Sequence, residues 1–239
     1  MNRYKAVTFD MGYTLIHFCP SEEELSLRAF RSLGLDPSPA ALRNARDLAW
    51  QEYAEDPAHA TYEPSLAQDE QREDEVTLLT LKHLGLYEPG LVRPLRAALR
   101  AVFDMEGALC PYPEVVRVLE TLRAEGYRLG VISNWSWNLE ERVRQVGLDR
   151  YFDLVLASAC AGCQKPHPRI FQQALAALGC LPHEAIHIGD SYRADVIGAR
   201  GVGMEALWLD REGRGGHDDC RAIRDLNEVL SIVLIGGDA

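Results

Sequence analysis

The spacing of apolar and polar positions follows two different patterns along this chain, and the pattern changes twice. A short apolar run over 6–9 ends at Asp10 and breaks at once into a glycine turn, which predicts a buried β-strand. Between about 21 and 105 the apolar residues recur every three or four positions, as they do on one face of a helix. From about 111 onward, short apolar runs alternate with helical segments. The pattern therefore predicts an α/β fold that is interrupted, soon after its first strand, by a helical insert.

The insert is predicted to contain helices and no strand. Ser21 followed by Glu24 is typical of a capped helix start, and Ser38 before a proline marks the start of the next helix. The acidic run over 69–75 leads into the third helix, where negative charge complements the helix dipole, and we interpret this run as a solvated face. The segments expected to be helical are 22–33, 39–53, 69–84 and 91–103.

The second half of the chain is predicted to alternate strands with single helices. Such connections make right-handed crossovers, which place the strands in a parallel sheet. We expect the last four residues, 236–239, to fray. The predicted strands are 128–133, 152–157, 185–188 and 205–209, and the predicted helices are 114–125, 138–146, 169–178, 192–200 and 225–234.

Charge and composition narrow the classes of partner. The net charge of -11 argues against a nucleic-acid partner, because phosphate backbones are bound by a surplus of Lys and Arg. No apolar run approaches the length that spans a bilayer, and the first residues lead into the first strand without the hydrophobic region of a signal peptide. We therefore expect a cytoplasmic protein with no membrane partner.

Cysteine and lysine are each informative by their number and spacing. The six cysteines of a chain without a secretion signal are interpreted as reduced thiols. Cys160 and Cys163 have the spacing of a metal or redox pair, but no second pair follows, and we interpret them as small residues in a loop. The only lysines are Lys5, Lys82 and Lys165, so few compact cations are available for chemistry.

Groups that can handle phosphate occur at several predicted strand ends. Asp10 ends the first strand, and Ser133 with Asn134 closes a later one. Lys165 lies in a proline-bracketed loop, where an anion is a reasonable target for a long cation held in place. The carboxyl ends of parallel strands share one edge of the sheet, where ligands bind in such folds.

Carboxylates also gather at this predicted edge. Asp190 and Asp195 flank the turn after another strand. Together with Asp10 they would repel one another unless a cation lay among them, and hard oxygen ligands suit Mg²⁺.

These four stretches, in this order and at these strand ends, resemble the four motifs of the haloacid dehalogenase (HAD) superfamily. The stretch 10–14 resembles the first motif, Ser133 the second, Lys165 the third, and Gly189-Asp190 with Asp195 the fourth. The most specific part lies between 133 and 204 and contains the runs SNWSWNLE, QKPHPRIFQQAL and GDSYRADVIGARGVGM.

The resemblance implies a domain organisation. It extends from Ala6 to about Leu209, and the insert resembles the helical type-one cap of this superfamily. It implies a Rossmann-like α/β core with a parallel sheet over 1–17 and 109–239, and an α-helical cap over 18–108. The superfamily contains many chemistries, so the fold alone does not assign the reaction.

The resemblance also implies residue roles, chiefly those of a Mg²⁺-dependent phosphatase acting on a small phosphorylated metabolite. Asp10 would attack phosphorus and form an aspartyl-phosphate. Ser133, Asn134 and Lys165 would hold phosphoryl oxygens. Asp195 would orient Lys165 or a water molecule. The Mg²⁺ ligands implied are Asp10, the carbonyl of Gly12 and Asp190.

Gly12 departs from the family pattern. Phosphatases of this superfamily usually carry a second Asp at this position, which acts as general acid and then base, and this chain has Asp10-Met11-Gly12 instead. General acid-base catalysis contributes about 10² to 10⁴-fold, so we expect a preference for leaving groups that need no proton. Proximity in the sequence suggests a small set of substitute donors: Tyr13, His17, His167 and Tyr192.

Other activities stay open at this point. Haloacid dehalogenases and phosphonate-cleaving members also lack the second Asp, and the dehalogenases need no metal. A phosphonate enzyme would need a cap lysine, for which Lys82 is the available residue. A non-catalytic member that binds a phosphorylated ligand or a protein partner is a further alternative. The sequence assigns neither the substrate nor the oligomeric state.

Overall fold

The protein, analysed as a computed structural model that describes residues 3–235, divides into two compact units. One unit comprises Met1–His17 and Pro111–Ala239, and the other comprises Phe18–Cys110. The sequence analysis places the corresponding boundaries after residues 17 and 108, and these boundaries stay a prediction. The frayed tail predicted for 236–239 lies outside the described residues. Across residues 3–235, no helix is both long and apolar enough to cross a membrane.

The first unit is built on a six-stranded sheet with the order β5-β4-β1-β6-β7-β8. The strands are β1 (Ala6–Phe9), β4 (Arg128–Ser133), β5 (Leu154–Ala157), β6 (Ala185–Gly189), β7 (Glu205–Leu209) and β8 (Arg221–Ile223). All of the adjacent pairs are parallel. The fold is therefore a Rossmann-like α/β fold with a parallel sheet, as the sequence predicted.

Strand register brings the chemistry-bearing strand ends to one edge. Phe9 of β1 pairs with Val131 of β4 on one side and with Ile188 of β6 on the other. Asp10 continues this register, because its N–H donates to the Ile188 carbonyl at 2.9 Å. The residues that follow β1, β4 and β6 consequently lie side by side at the carboxyl edge of the sheet.

Helices cover the sheet through apolar faces. The helices of this unit are α5 (Val115–Ala124), α6 (Leu139–Gln145), α7 (Ser158–Ala161), α8 (Pro168–Leu178), α9 (Gly198–Gly201) and α10 (Asn227–Ile235). In α8 the buried residues Ile170, Phe171, Ala174 and Leu178 recur at helical spacing and join the core cluster that contains Ile132 of β4. The crossover helices thereby hold the central strands rigidly in register.

The second unit consists of the helices α1 (Glu22–Ser32), α2 (Pro39–Glu55), α3 (Leu66–His83) and α4 (Val92–Phe103). Ser21 and Ser38 cap α1 and α2, as their sequence positions indicate, by accepting backbone N–H groups of Glu24 and Ala41. The helix α3 begins earlier than predicted because Ser65 accepts the N–H of Gln68 at 3.1 Å.

The acidic run over 69–75 is not a solvated face throughout, as the sequence analysis had interpreted it. Asp69 and Arg72 are only 4% and 5% exposed, rather than part of a solvated face. They form an ion pair in which Arg72 Nη2 donates to Asp69 Oδ1 at 2.6 Å. Both lie on the helix face that continues to the buried Val76, because positions three and four apart share one face.

Short or irregular elements were missed by the sequence analysis. The strands β2 (Ile16–Phe18), β3 (Leu109–Pro111) and β8 are too short to show a period of two. The segment 192–200, predicted as one helix, is a wide π-helical turn over Tyr192–Ile197 followed by α9. Cys160 lies in α7 rather than in a loop.

Candidate active site

Asp10 is the central group of the site. It follows the fully buried strand β1 and is itself only 8% exposed. Its Oδ1 atom accepts hydrogen bonds from Ser133 Oγ at 2.9 Å and from Lys165 Nζ at 2.6 Å. Burial raises the pKa of Asp10, whereas the Lys165 ammonium acts in the opposite direction. The sequence-predicted Ser133 and Lys165 therefore both contact Asp10 directly.

Lys165 is held by three acceptors. Besides Asp10, its Nζ donates to Asp195 Oδ1 at 2.6 Å and to the Ile132 carbonyl at 2.7 Å. An ammonium has three protons to donate, so this geometry uses all of them. Burial alone would lower the pKa of Lys165, but the carboxylates of Asp10 and Asp195 raise it overall. The group is a fixed cation at the carboxyl edge of the sheet.

Asn134 binds the backbone of the Lys165 loop. Its Nδ2 donates to the Lys165 carbonyl at 3.0 Å, and its Oδ1 accepts the Lys165 N–H at 2.7 Å. Both ends of the amide therefore bind the Lys165 backbone. The side chain therefore positions the Lys165 loop, and its predicted contact with phosphate stays a prediction.

Asp195 is fixed from several sides. Its Oδ2 accepts the Ser191 N–H at 3.0 Å, and its Oδ1 lies 3.1 Å from Nε2 of the buried His187. Burial acts to raise the pKa of Asp195, but Lys165 above all, and then His187, lower it. A side chain at Gly189 would collide with Asp195, since a Cβ built there lies 2.1 Å from the Asp195 Cγ. Gly189 is thus required for the position of Asp195.

His187 extends this network into β1. The sequence analysis did not anticipate its contact with Asp195. Its Nδ1 lies 2.9 Å from Thr8 Oγ1. A carboxylate can only accept, so the Nε2 atom carries the proton toward Asp195 and Nδ1 accepts from the Thr8 hydroxyl. Burial lowers the pKa of His187, which keeps the ring neutral.

Asp190 lies beside the same cluster. Burial, followed by the nearby charges of Asp10 and Asp195, raises the pKa of Asp190 to about 8. Its backbone carbonyl accepts the indole N–H of Trp208 at 2.9 Å, which fixes the chain at this point. The three carboxylates are thus faced by one ammonium, that of Lys165, and by a neutral histidine.

The donor set at this edge fits a divalent cation. Uncompensated carboxylates in a buried site favour a bound cation, and carboxylate and carbonyl oxygens are ligands that Mg²⁺ prefers. Within residues 3–235, no group of three His, Cys, Asp or Glu side chains could hold a metal by itself. The residues that could take part are Asp10, Asp190 and, through its carbonyl, Gly12, with further oxygens coming from substrate or water.

The turn after Asp10 is held by a residue that the sequence analysis missed. Tyr13 has a left-handed φ of 54°, which is uncommon for a residue with a side chain. Arg211 Nη2 donates to the Thr14 carbonyl at 2.8 Å and Arg211 Nε to the Tyr13 carbonyl at 3.2 Å. The guanidinium also lies 3.5 Å from the ring centroid of Tyr112. The strand-end rule could have indicated Arg211, since it follows the end of β7.

The suggested proton donors occupy separate local environments. The Tyr192 hydroxyl donates to Asp219 Oδ2 at 2.6 Å. The Nδ1 of His167 accepts the Arg169 N–H at 3.2 Å at the start of α8. The His17 ring contacts the Tyr112 ring at a centroid distance of 4.9 Å. Tyr13 is 42% exposed and adjacent to Gly12, so it alone of the four belongs to the turn itself.

Comparison with known proteins agrees with this geometry. The family model for haloacid dehalogenase-like hydrolases matches residues 4–203. The chain is 32% identical over 230 residues to a glyceraldehyde 3-phosphate phosphatase of Methanopyrus kandleri, covering 92% of this chain and 89% of that protein. It spans about half the length of several other curated relatives that it matches.

Solved structures give the same family. A HAD phosphatase from Thermococcus onnurineus has a TM-score of 0.64 and 26% identity, with 98% of each chain covered. A 2-haloacid dehalogenase from Pseudomonas syringae has a TM-score of 0.68 and 28% identity, with 98% of this chain and 100% of that chain covered. The match of the family model across most of the chain shows that the protein belongs to the haloacid dehalogenase-like hydrolases.

Proposed function

We propose that the protein is a Mg²⁺-dependent phosphatase that hydrolyses a small phosphate monoester through an aspartyl-phosphate on Asp10. The observation that carries the proposal is the charge of the site, in which the buried carboxylates Asp10, Asp190 and Asp195 outnumber their one cation, Lys165. A cation and the phosphoryl group that it neutralises would complete this arrangement.

Asp10 is prepared for nucleophilic attack by its hydrogen bonds. Ser133 and Lys165 both bind Oδ1 and thereby fix the side-chain rotamer. The Oδ2 atom accepts neither of these bonds and is assigned the attack on phosphorus. The bond from phosphorus to Oδ2 forms while the bond to the leaving oxygen breaks. Water then hydrolyses the aspartyl-phosphate and releases inorganic phosphate, which regenerates the carboxylate.

The remaining residues orient the charged groups. Ser133 and Lys165 are assigned to the phosphoryl oxygens, since both already point at Asp10. Asp195 holds Lys165 in its charged form. Mg²⁺ held by Asp10, Asp190 and the Gly12 carbonyl would neutralise phosphoryl charge.

The same charge argues against the alternatives. A metal-independent dehalogenase attacks carbon and has no need of a site with excess buried carboxylate, although one structural relative is a 2-haloacid dehalogenase. The phosphonate-cleaving alternative depends on a single cap lysine, Lys82 in α3. A pure binding protein has no evident use for a carboxylate fixed as Asp10 is.

The substrate class follows from the site and from one relative. A phosphatase of M. kandleri that matches most of this chain is named for glyceraldehyde 3-phosphate, which supports a small phosphorylated metabolite as substrate here. Gly12 leaves the leaving group without the usual acid. We therefore assign a preference for acyl, aryl or sugar 1-phosphates over simple alkyl phosphates.

Hydrolysis of p-nitrophenyl phosphate, with and without Mg²⁺, tests the proposal. We expect turnover that requires the metal and that falls by at least about 10⁴-fold in Asp10→Asn, because the nucleophile is lost. Mg²⁺ should also raise the thermal midpoint of the wild type more than that of Asp190→Asn, through binding to the native state.

Two results would contradict the proposal. One is the absence of turnover of this activated ester at any Mg²⁺ concentration. The other is equal turnover after chelation, which would favour the metal-independent chemistry. Asp69→Asn, in the other unit, is the matched control for the loss of a buried carboxylate.

A further inference from the structure

Two short strands form the ribbon by which the chain leaves the first unit and returns to it. In this ribbon β2 pairs with β3. The Tyr112 N–H donates to the Leu15 carbonyl at 3.0 Å, and the Cys19 N–H donates to the Ala108 carbonyl at 2.9 Å. Residue numbers rise from 15 to 19 along one strand, while those of their partners fall from 112 to 108. The two strands are therefore antiparallel.

This register places two cysteines on the same face of the ribbon. Cys19 is opposite Ala108, and Cys110 lies two positions from Ala108 on β3, so the two cysteines are diagonal neighbours. The two side chains are in direct contact, because the Cys19 and Cys110 thiols share a hydrogen bond. That bond, followed by burial, raises the pKa of Cys19. Both cysteines are half-buried and neither is in a disulfide.

The closely spaced pair in the sequence does not have this relation. Cys160 is exposed in α7, whereas Cys163 is buried and follows Gly162, which has a left-handed φ of 70°. The Sγ of Cys163 contacts the Ala161 carbonyl at 3.9 Å. The thiols that the fold brings together are far apart in the sequence, and no spacing motif could have indicated them.

We propose that Cys19 and Cys110 are a redox modification site that forms a reversible disulfide. The oxidant is a low-molecular-weight disulfide such as oxidised glutathione. One cysteine thiolate attacks a sulfur of this disulfide and releases one thiol, and the second cysteine attacks the mixed disulfide and releases the other. Two protein S–H bonds become one S–S bond, and the reagent takes up both protons and two electrons.

The bond would join the two linkers of the helical unit. Everything between Cys19 and Cys110, which includes α1 to α4, would lie within one closed loop. A long closed loop constrains the unfolded chain, and this raises the stability of the folded one. The site therefore couples the stability of the insert to the thiol redox state of its surroundings. It stands apart from the proposed hydrolytic chemistry.

Oxidation of the chain with oxidised glutathione, in a Cys160→Ser background, tests the site. We expect the intact mass before alkylation to fall by two hydrogens, and peptide mapping after alkylation to show Cys19 linked to Cys110. The thermal midpoint should rise by at least about 2 °C, and dithiothreitol should reverse both changes. In Cys19→Ser and Cys110→Ser, the remaining cysteine of the pair should stop at a glutathione adduct, with no linked peptide and no rise in midpoint.

Cys180→Ser and Cys220→Ser are the matched controls, since these cysteines are also partly exposed. Both controls should form the linked peptide as the wild type does. A Cys160→Ser background removes disulfides between chains through the exposed thiol. The proposal is overturned if Cys19 and Cys110 both stay open to alkylation after oxidation, or if the linked peptide joins other cysteines.

Discussion

The two units of this chain bury charge in opposite ways. In the helical unit Asp69 and Arg72 form a buried pair of one anion and one cation, with Nη2 and Oδ1 2.6 Å apart. In the sheet unit Lys165 meets both Asp10 and Asp195, each at 2.6 Å, and Asp190 lies beside them with its pKa raised to about 8. The first site is balanced in charge, whereas the second has an excess of carboxylate.

The difference separates a structural ion pair from a functional site. In a balanced ion pair each charge compensates the other, and uncharged residues of the same shape can often replace the pair without loss of stability. An unbalanced cluster costs stability unless something else supplies positive charge, and perturbed pKa values gather at such sites for that reason. Each of the following substitutions changes this balance in one of the two units.

Lys165→Met should have the largest effect on stability. It leaves Asp10 and Asp195 buried without their cation, which we expect to lower the free energy of unfolding by about 3 to 5 kcal/mol in the absence of Mg²⁺. Urea unfolding measures the change. Adding Asp10→Asn to Lys165→Met should restore part of the loss. An unchanged urea midpoint in Lys165→Met would show that Asp10 and Asp195 are not both ionised.

Arg72→Met tests the balanced pair. It should lower the free energy of unfolding by about 3 kcal/mol, because Asp69 is left buried and charged. The double variant Asp69→Asn with Arg72→Met should return to within about 1 kcal/mol of the wild type. Arg28→Ala breaks an exposed ion pair with Glu24 and should change the free energy of unfolding by less than about 0.5 kcal/mol. A double variant as unstable as the single one would contradict the distinction.

Gly12→Asp adds a carboxylate to the unbalanced cluster. A Cβ at this position meets the Trp135 ring at an ordinary 3.7 Å, so the first side-chain atom causes no clash. We expect the rate on alkyl phosphates to rise by at least about tenfold, and by less on aryl phosphates, since only the former need a proton. Turnover of esters with graded leaving-group pKa measures this. An equal gain on both classes would refute the leaving-group argument.

Asp210→Asn should give the smallest effect, which depends on pH. The Asp210 carboxylate accepts N–H groups of Gly213, Arg214 and Gly215, and these bonds, that of Gly215 foremost, lower its pKa. A lowered native pKa adds stability above the unfolded pKa and loses it as pH falls through the native value. The variant should therefore differ from the wild type more at pH 7 than at pH 3, as measured by urea unfolding.

Local features of the fold were predictable because their causes are local. Ser38 caps α2, and Leu42 and Tyr53, which lie at helical spacing, are buried on one face of that helix. The acidic run was misinterpreted because its charge obscured the spacing of three and four that places Asp69 and Arg72 on the same face as the buried Val76.

The sequence by itself determined the parallel α/β fold and the strand ends at which the candidate site residues lie. That was possible because the carboxyl ends of parallel strands share one edge. The tertiary structure decided how the charges are balanced there. Asp10 and Lys165 are 155 positions apart, and Cys19 meets Cys110 across the whole insert. Hydrophobic periodicity specifies faces and elements, whereas contacts of this range depend on register and on the packing of the complete fold.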